Sequence, residues 1–380
     1  MSNFYCVAPW RSLHINSRGD IKTCCAGNPN MLGNLNDKGI EEILNGPELI
    51  EIRSALRQGI PHEKYCSNCV NRESRGGESE RAWHNRINEH FDSTQAGLAY
   101  EYPTLIDVRW NNTCNLSCNY CGPNDSSKWA ALKKMSVNTN TRHYYTDVCD
   151  FLEKNNSHIK EVALVGGEPL LLPENERLLD VVPDDCVITM ITNLSNPLED
   201  NKIFQKLSQR SNVGWSISFD NIQDRFEYVR HGANWALMQH NLDLIQDLIK
   251  NQGHWGGIHP VYNLYNCTRL CEFVEFAQSR NLSLKWQTLH WPAVLDPRNY
   301  GQEIAKLAAA EIEKLLSGYP IKKEEKHMFQ NTLAHYQSQT NNDPGQLTKL
   351  KLFVAEIEQY HPGQQGQFAK LWPELQQVLT

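Results

Sequence analysis

Trp110-Asn111-Asn112-Thr113-Cys114-Asn115-Leu116-Ser117-Cys118-Asn119-Tyr120-Cys121-Gly122 is the stretch on which the reading of this chain turns. It directly follows an apolar, β-branched run at 104–110 (TLIDVRW) that reads as a strand. Cys114, Cys118 and Cys121 lie close enough on one loop for their thiolates to converge on a single centre. A [4Fe–4S] cluster usually takes four protein thiolates. Three leave one metal position open, which is what a small molecule needs in order to bind. A structural zinc site would want a fourth ligand nearby, and no His or Cys lies between Cys121 and His143. A ferredoxin-like run would space its cysteines by two residues and follow them with a proline, whereas Gly122 comes before Pro123 here.

Outward from this loop, β-branched runs alternate with helical patterns. The predicted strands are 104–110, 159–165, 186–192, 213–219, 257–264 and 282–289. Helix candidates between and after them lie near 126–135, 141–155, 174–181, 199–210, 233–251 and 268–280. This order predicts an α/β fold with a parallel sheet, a partial (β/α)6 barrel. An open doubly wound sheet is the alternative that periodicity leaves standing. The loop would then sit at the mouth where βα enzymes gather their active-site residues. The chain divides into four zones: a cysteine-rich domain at 1–92, a linker at 93–103, the barrel at 104–296 and a helical C-terminal extension at 297–380.

The second predicted strand ends in Val165-Gly166-Gly167-Glu168-Pro169. On the CxxxCxxC spacing, on Tyr120 before the third cysteine and on this glycine pair one strand later, the chain resembles the radical S-adenosylmethionine (SAM) superfamily. The resemblance implies that Cys114, Cys118 and Cys121 hold a [4Fe–4S] cluster whose open iron chelates SAM. One-electron reduction, from a donor such as a flavodoxin or ferredoxin, then yields a 5′-deoxyadenosyl radical that abstracts a substrate hydrogen atom. Gly166, Gly167, Glu168 and Pro169 would shape the turn beside the cofactor, with carbonyls near its ammonium group. Thr192 and Asn193 end the third strand, and Ser216, Ser218 and Asp220 line the fourth. Of these, Asn193 and Ser218 are candidate cofactor contacts. Arg230, in Tyr228-Val-Arg-His-Gly232, is a candidate carboxylate partner because its planar fork matches that geometry.

Eight of the twelve cysteines fall in two groups, Cys114 to Cys121 and the earlier Cys6, Cys24, Cys25, Cys66 and Cys69. Grouped cysteines in a reducing compartment favour metal sites over disulfides. Cys6-Val-Ala-Pro-Trp10, Gly19-Asp20, Cys24-Cys25, Leu32-Gly33-Asn34 and Cys66-Ser-Asn-Cys69 resemble the SPASM/twitch iron–sulfur domain. That domain usually follows the barrel, and here it precedes it. The resemblance implies a second, auxiliary [4Fe–4S] cluster on Cys6, Cys24, Cys66 and Cys69. Cys25 is the alternative to Cys24, since adjacent side chains diverge. A four-cysteine zinc site is the other metal that this spacing allows.

A net charge of −7 over 380 residues gives no electrostatic reason to expect nucleic acid or an anionic membrane as a partner. No run of about 18 apolar residues exists, and the start, MSNFYCVAPWRSLH, lacks the layout of a signal peptide. A cytoplasmic protein is expected. Relatives of this type mostly modify ribosomal peptides or proteins, and some oxidise or epimerise small molecules such as aminocyclitols. A non-catalytic iron–sulfur or SAM-binding module is a further alternative. Cys267, just past the fifth predicted strand, is a candidate hydrogen donor, and Cys271 its neighbour or an extra ligand. His290 and Trp291 are candidates for the pocket wall, and Cys149 and Cys186 read as packing residues.

Overall fold

A computed structural model describes residues 4–28, 32–74, 78–91, 97–98, 102–137, 144–289, 291–338 and 344–379. Its strands are β1 (Ser12–Ile15), β2 (Ile21–Lys22), β3 (Leu105–Val108), β4 (Glu161–Leu164), β5 (Val187–Thr192), β6 (Val213–Ile217), β7 (Trp255–Ile258), β8 (Val261–Tyr262), β9 (Ser283–Leu284) and β10 (Gln287–Thr288). Eight form one sheet in the order β2-β1-β3-β4-β5-β6-β7-β9, and β8 pairs with β10 beside it.

From β3 to β9 every neighbour is parallel and follows chain order. Right-handed crossovers then place every helix on the same face, and with no reversal of order there is no switch point. The sheet is therefore singly wound, as a partial barrel is, and the doubly wound alternative falls. Burial alternates accordingly. Ile106, Val108, Val162, Leu164, Ile188 and Met190 are buried under the helices, while Leu105, Asp107, Glu161, Ala163, Val187 and Thr189 on the inner face are only half-buried.

The fifth predicted strand breaks into β7 and β8 around His259–Pro260, and the sixth into β9 and β10 around Lys285–Trp286. Proline cannot donate to the ladder, so the break falls there. Short strands also appear where the sequence reads as turns. β1 pairs antiparallel with β2 and parallel with β3, setting His14 between Lys22 and Asp107. All six residues of β1 and β2 are buried, so no period-2 alternation marks them. The N-terminal segment thus extends the barrel sheet.

The chain after the sheet is helical, with Gln302–Gly318, Lys323–Ser338, Pro344–Tyr360, Gln367–Leu371 and Pro373–Leu379. These helices fold back onto the β8 region. Trp372 Nε1 donates to the Tyr265 carbonyl at 2.8 Å, and the hydroxyls of Tyr262 and Tyr336 meet at 2.9 Å.

Leu13 is fully buried in the same core as Ile106. Leu13→Ala should cost about 2–5 kcal/mol. In calorimetry it should lower one endotherm for the whole chain; two endotherms, only one of them shifted, would refute a shared sheet.

Candidate active site

The cysteine loop leaves the C-terminal end of β3, and its backbone is held from three sides. From the β4 side, Glu168 N–H donates to the Thr113 carbonyl at 2.8 Å and Gly167 N–H to that of Asn111 at 3.4 Å. A Cβ on Gly167 would lie 2.3 Å from Thr113 O and 2.6 Å from Asn112 O, so the turn requires glycine. Gly166 has φ +142°, which also favours glycine. The glycine pair is thus packed against the cysteine loop itself. From the β6 side, Ser117 N–H donates to His231 O at 3.0 Å and Asn119 N–H to Val229 O at 2.8 Å. From the helix Ser127–Leu132, Trp129 Nε1 donates to Cys118 O at 2.8 Å, and Cys114 N–H donates to Ser127 Oγ at 3.1 Å.

Side-chain N–H groups point at the sulfurs. Asn193 Nδ2 lies 3.8 Å from Cys114 Sγ, and Arg230 Nη1 lies 4.0 Å from Cys118 Sγ. Cys118 and Cys121 share a hydrogen bond that lowers the Cys118 pKa and, with burial, raises that of Cys121. Arg230 Nη2 also donates to Asp220 Oδ2 at 3.1 Å, and its guanidinium lies 5.4 Å from the Tyr120 ring centroid. Tyr120 OH donates to the same carboxylate oxygen at 2.5 Å, and Val261 N–H to the other at 2.6 Å. Burial works against the Arg230 cation, but Tyr120, Asp220 and the two thiols hold its pKa above the ordinary value. Asp220 thereby joins the loop to β6 and β8.

Glu168 is fully buried. Its carboxylate accepts from Thr192 Oγ1 and Asn193 N–H, both at 2.8 Å, and from Leu170 N–H at 3.1 Å. Burial nonetheless lifts it from 4.5 to about 7 against those donors. Pro169 opens a buried 3-10 turn, and Asn193 Nδ2 also reaches Asn115 Oδ1 at 3.0 Å. Ser218 is half-buried just beyond β6, its N–H donating to Thr192 O at 2.9 Å. Trp291 is 66% exposed, with its ring tip 3.8 Å from where a Gly122 Cβ would lie. His290 lies outside the described residues.

Cys6, Cys24, Cys66 and Cys69 line one pocket of about 340 Å³, its open mouth included, together with Phe4, Tyr65 and Arg81. Burial pushes the Cys6 thiol up to about 12, with Cys69 and Cys66 adding to the shift, and raises Cys24 as well. Cys25 does not line this pocket. It is exposed, and burial by its surroundings followed by the charges of Glu80 and Asp107 raises it to about 12. A thiol reached by solvent yet ringed by protein lies on the wall of a concavity.

Cys267 departs from expectation. Its thiol is fully buried and donates to Leu264 O at 3.4 Å, with the charges of Glu374, Glu311 and Arg269 around it. The strand expected to lead to the lumen breaks after Ile258, and the C-terminal helices close over the segment beyond the break. The Cys271 thiol is also turned to the C-terminal helices, its Sγ 3.9 Å from the Glu311 carbonyl. Cys149 and Cys186 are buried.

Residues 6–70 match the SPASM iron–sulfur cluster-binding domain, and residues 108–273 match the radical SAM superfamily. The chain carries a radical SAM domain preceded by a SPASM domain. No curated protein matches it in sequence. Among solved structures, native anSMEcpe with bound AdoMet is 16% identical at TM-score 0.42, over 57% of this chain and 62% of that one. SuiB of Streptococcus suis bound to precursor peptide SuiA is 12% identical at TM-score 0.40, over 80% of this chain and 68% of that one. The chain thus spans about three fifths of the length of anSMEcpe.

The superfamily's cofactors are SAM and a [4Fe–4S] cluster, and the SPASM domain adds auxiliary iron–sulfur. Both cysteine sets suit such groups. Sulfurs met by N–H donors are set to carry thiolate charge, and the thiols of Cys6, Cys24 and Cys66, held protonated by burial, would lose their protons when iron binds. Among the described residues, no three His, Cys, Asp or Glu close around one point as a single ion requires. A [4Fe–4S] cube spreads its thiolates over separate irons.

The Glu168 pKa sets a pH dependence. Between 4.5 and about 7 the folded state holds its proton more tightly than the unfolded state does. The associated stability is full below 4.5 and is lost as pH rises through about 7. Glu168→Gln should remove that slope from the difference between the two proteins in urea titrations. It should also cost about 1–3 kcal/mol, because an amide cannot satisfy all three donors.

Proposed function

We propose that the chain is a radical SAM enzyme that modifies an unreactive C–H bond of a peptide or protein, using one SAM-binding and one auxiliary [4Fe–4S] cluster. Cys114, Cys118 and Cys121 are assigned to the first cluster, and Cys6, Cys24, Cys66 and Cys69 to the second. The observation that carries the reading is the β1–β3 pairing, which joins the segment carrying the first cysteine set to the strand that leads into the cysteine loop. Arg109, two residues past Asp107 on that face, is a charged neighbour of both Cys25 and Asp125, and Asp125 is in turn a charged neighbour of Cys121.

When bound, the cluster and SAM supply a carbon-centred radical on one-electron reduction. The protein's residues do the rest. Gly167 and Glu168 fix the cysteine loop, Asn193 and Ser218 face the cofactor from the strand ends, and Arg230 counters thiolate charge beside Cys118. Trp291 offers an exposed aromatic wall next to the loop. The SPASM-type domain and a lumen whose rim residues Lys285 and Gln287 are exposed support an extended substrate.

Anaerobically reconstituted protein should carry about eight irons per chain, as two [4Fe–4S] clusters require, and should form 5′-deoxyadenosine from SAM under reduction. Cys118→Ala should abolish 5′-deoxyadenosine, and Cys24→Ala should halve the iron while Cys25→Ala leaves it unchanged. Stoichiometric zinc with iron for one cluster would remove the auxiliary assignment. A filled cluster that never cleaves SAM would point to a binding module.

A further inference from the structure

One set of polar side chains on the inner face belongs to neither cysteine site. Strand register places His14 directly between Lys22 and Asp107, and Arg109 follows Asp107 by one inner-face step. His14 is 2% exposed, and neither ring nitrogen has a hydrogen-bond partner among the described residues. The facing Asp107 Oδ2 is 3.7 Å from its Nε2. Arg109 engages only Asp107 among the described residues, through Nε at 3.4 Å. Among the described residues Lys22 Nζ makes one bond, to the Cys25 carbonyl at 2.8 Å.

Counting groups gives a surplus of donors. The terminal nitrogens of Arg109, the remaining N–H groups of Lys22 and one ring N–H of His14 converge on a place where Asp107 is the one carboxylate among the described residues that hydrogen-bonds any of these three side chains; Glu80 beside Cys25 and Asp125 beside Arg109 are charged neighbours without such a bond. An internal ion pair alone would explain Arg109 and Asp107 but leaves His14 buried and unsatisfied, which costs about 1–3 kcal/mol. Cys25 opens at the same place, with Lys22, Arg109, Asp107 and Glu80 as its charged neighbours.

We propose that Lys22, Arg109 and His14 form a carboxylate-binding subsite at the edge of the lumen, which takes an acidic side chain of the substrate peptide. This rests on reading the lumen as the substrate chamber. The free guanidinium edge matches a carboxylate in two parallel hydrogen bonds, which a lone ammonium does not. Asp107 keeps that edge turned toward the lumen through its contact at Nε. Partial desolvation makes each bond stronger than at an open surface. A neutral peptide would leave the cations and His14 unpaired, so the subsite selects by penalty as well as by attraction.

The test uses the full chain with both clusters loaded, under anaerobic conditions. Alkylation of Cys25 by iodoacetamide is followed by peptide mass spectrometry, with N-acetylglutamyl methylamide, its glutaminyl analogue or inorganic phosphate as the probe. The glutamyl probe should slow alkylation about fivefold or more, and the glutaminyl probe should leave it unchanged. Arg109→Gln should abolish that protection, and Arg109→Lys should keep part of it. Equal protection by both peptides, or protection that survives Arg109→Gln, would overturn the subsite. Equal protection by phosphate would make it a general anion site and overturn the peptide assignment, and a Cys25 that is alkylated in cluster-free protein but not in the loaded protein would be a cluster ligand and do the same. Formation of 5′-deoxyadenosine by the same preparations is measured alongside. If it persists while protection fails, the subsite alone falls; if it is absent in the unmodified protein, the reading of the lumen falls with it.

Discussion

The parallel pairing of β1 with β3 is the constraint on which the rest of the structure depends. It sets Leu13 and Ile15 into one core with Ile106 and Val108, and turns Ser12 and His14 to the opposite face with Asp107. A one-residue slip would exchange those faces, burying charge among aliphatic side chains and exposing Leu13. The register is therefore fixed by hydrophobic burial on one side and polarity on the other. Everything carried by β1 and β2 depends on it, including the pocket of Cys6, Cys24, Cys66 and Cys69. An iron–sulfur domain placed before the barrel in sequence thus becomes part of the same wall as the cysteine loop.

A second constraint is the buried Arg230–Asp220 pair. Removing two such charges from water is expensive, and a pair of this kind is weak evidence for stability by itself. Its setting gives it another use. Asp220 accepts from Tyr120, Arg230 and the Val261 backbone, so one carboxylate ties the cysteine loop, the segment after β6 and the start of β8. Both carboxylate oxygens are engaged, which fixes the geometry. Arg230 is at once the counter-charge for Cys118 and the anchor of the residue between the second and third cysteines. Positioning and electrostatics are carried by the same side chains.

Much of this was legible in the sequence where local pattern and chemistry coincide. Cys114, Cys118 and Cys121 after a β-branched run, and Gly166-Gly167-Glu168-Pro169 one strand later, need only spacing to be read. The role of Gly167 needed coordinates, because the atoms that exclude a Cβ belong to Asn112 and Thr113, far away in sequence. β1 and β2 were hidden because both of their faces are buried, which erases the alternation that marks a strand. Cys267 was misplaced for a related reason. A run with the right composition continues past Ile258, but Pro260 interrupts the ladder and the C-terminal helices cover the residues after it. His14, Lys22 and Arg109 are unremarkable singly, and register alone brings them together.

An incomplete barrel has two open edges, and the chain deals with each. The outer strands β2 and β9 are two residues long, too short to template another chain. Lys322, from the C-terminal region, donates to the Leu284 carbonyl on β9 at 3.2 Å and places a charge along that edge. At the other end Asp20 bridges to Asn34, so the chain itself covers the border of β2. Closing the barrel with two more strands would protect the edges as well, but it would also narrow the lumen. Short edges and a lysine leave the inner face open between Lys22 on one side and Lys285 on the other. The same short edges that guard against aggregation therefore leave the barrel incomplete rather than closed.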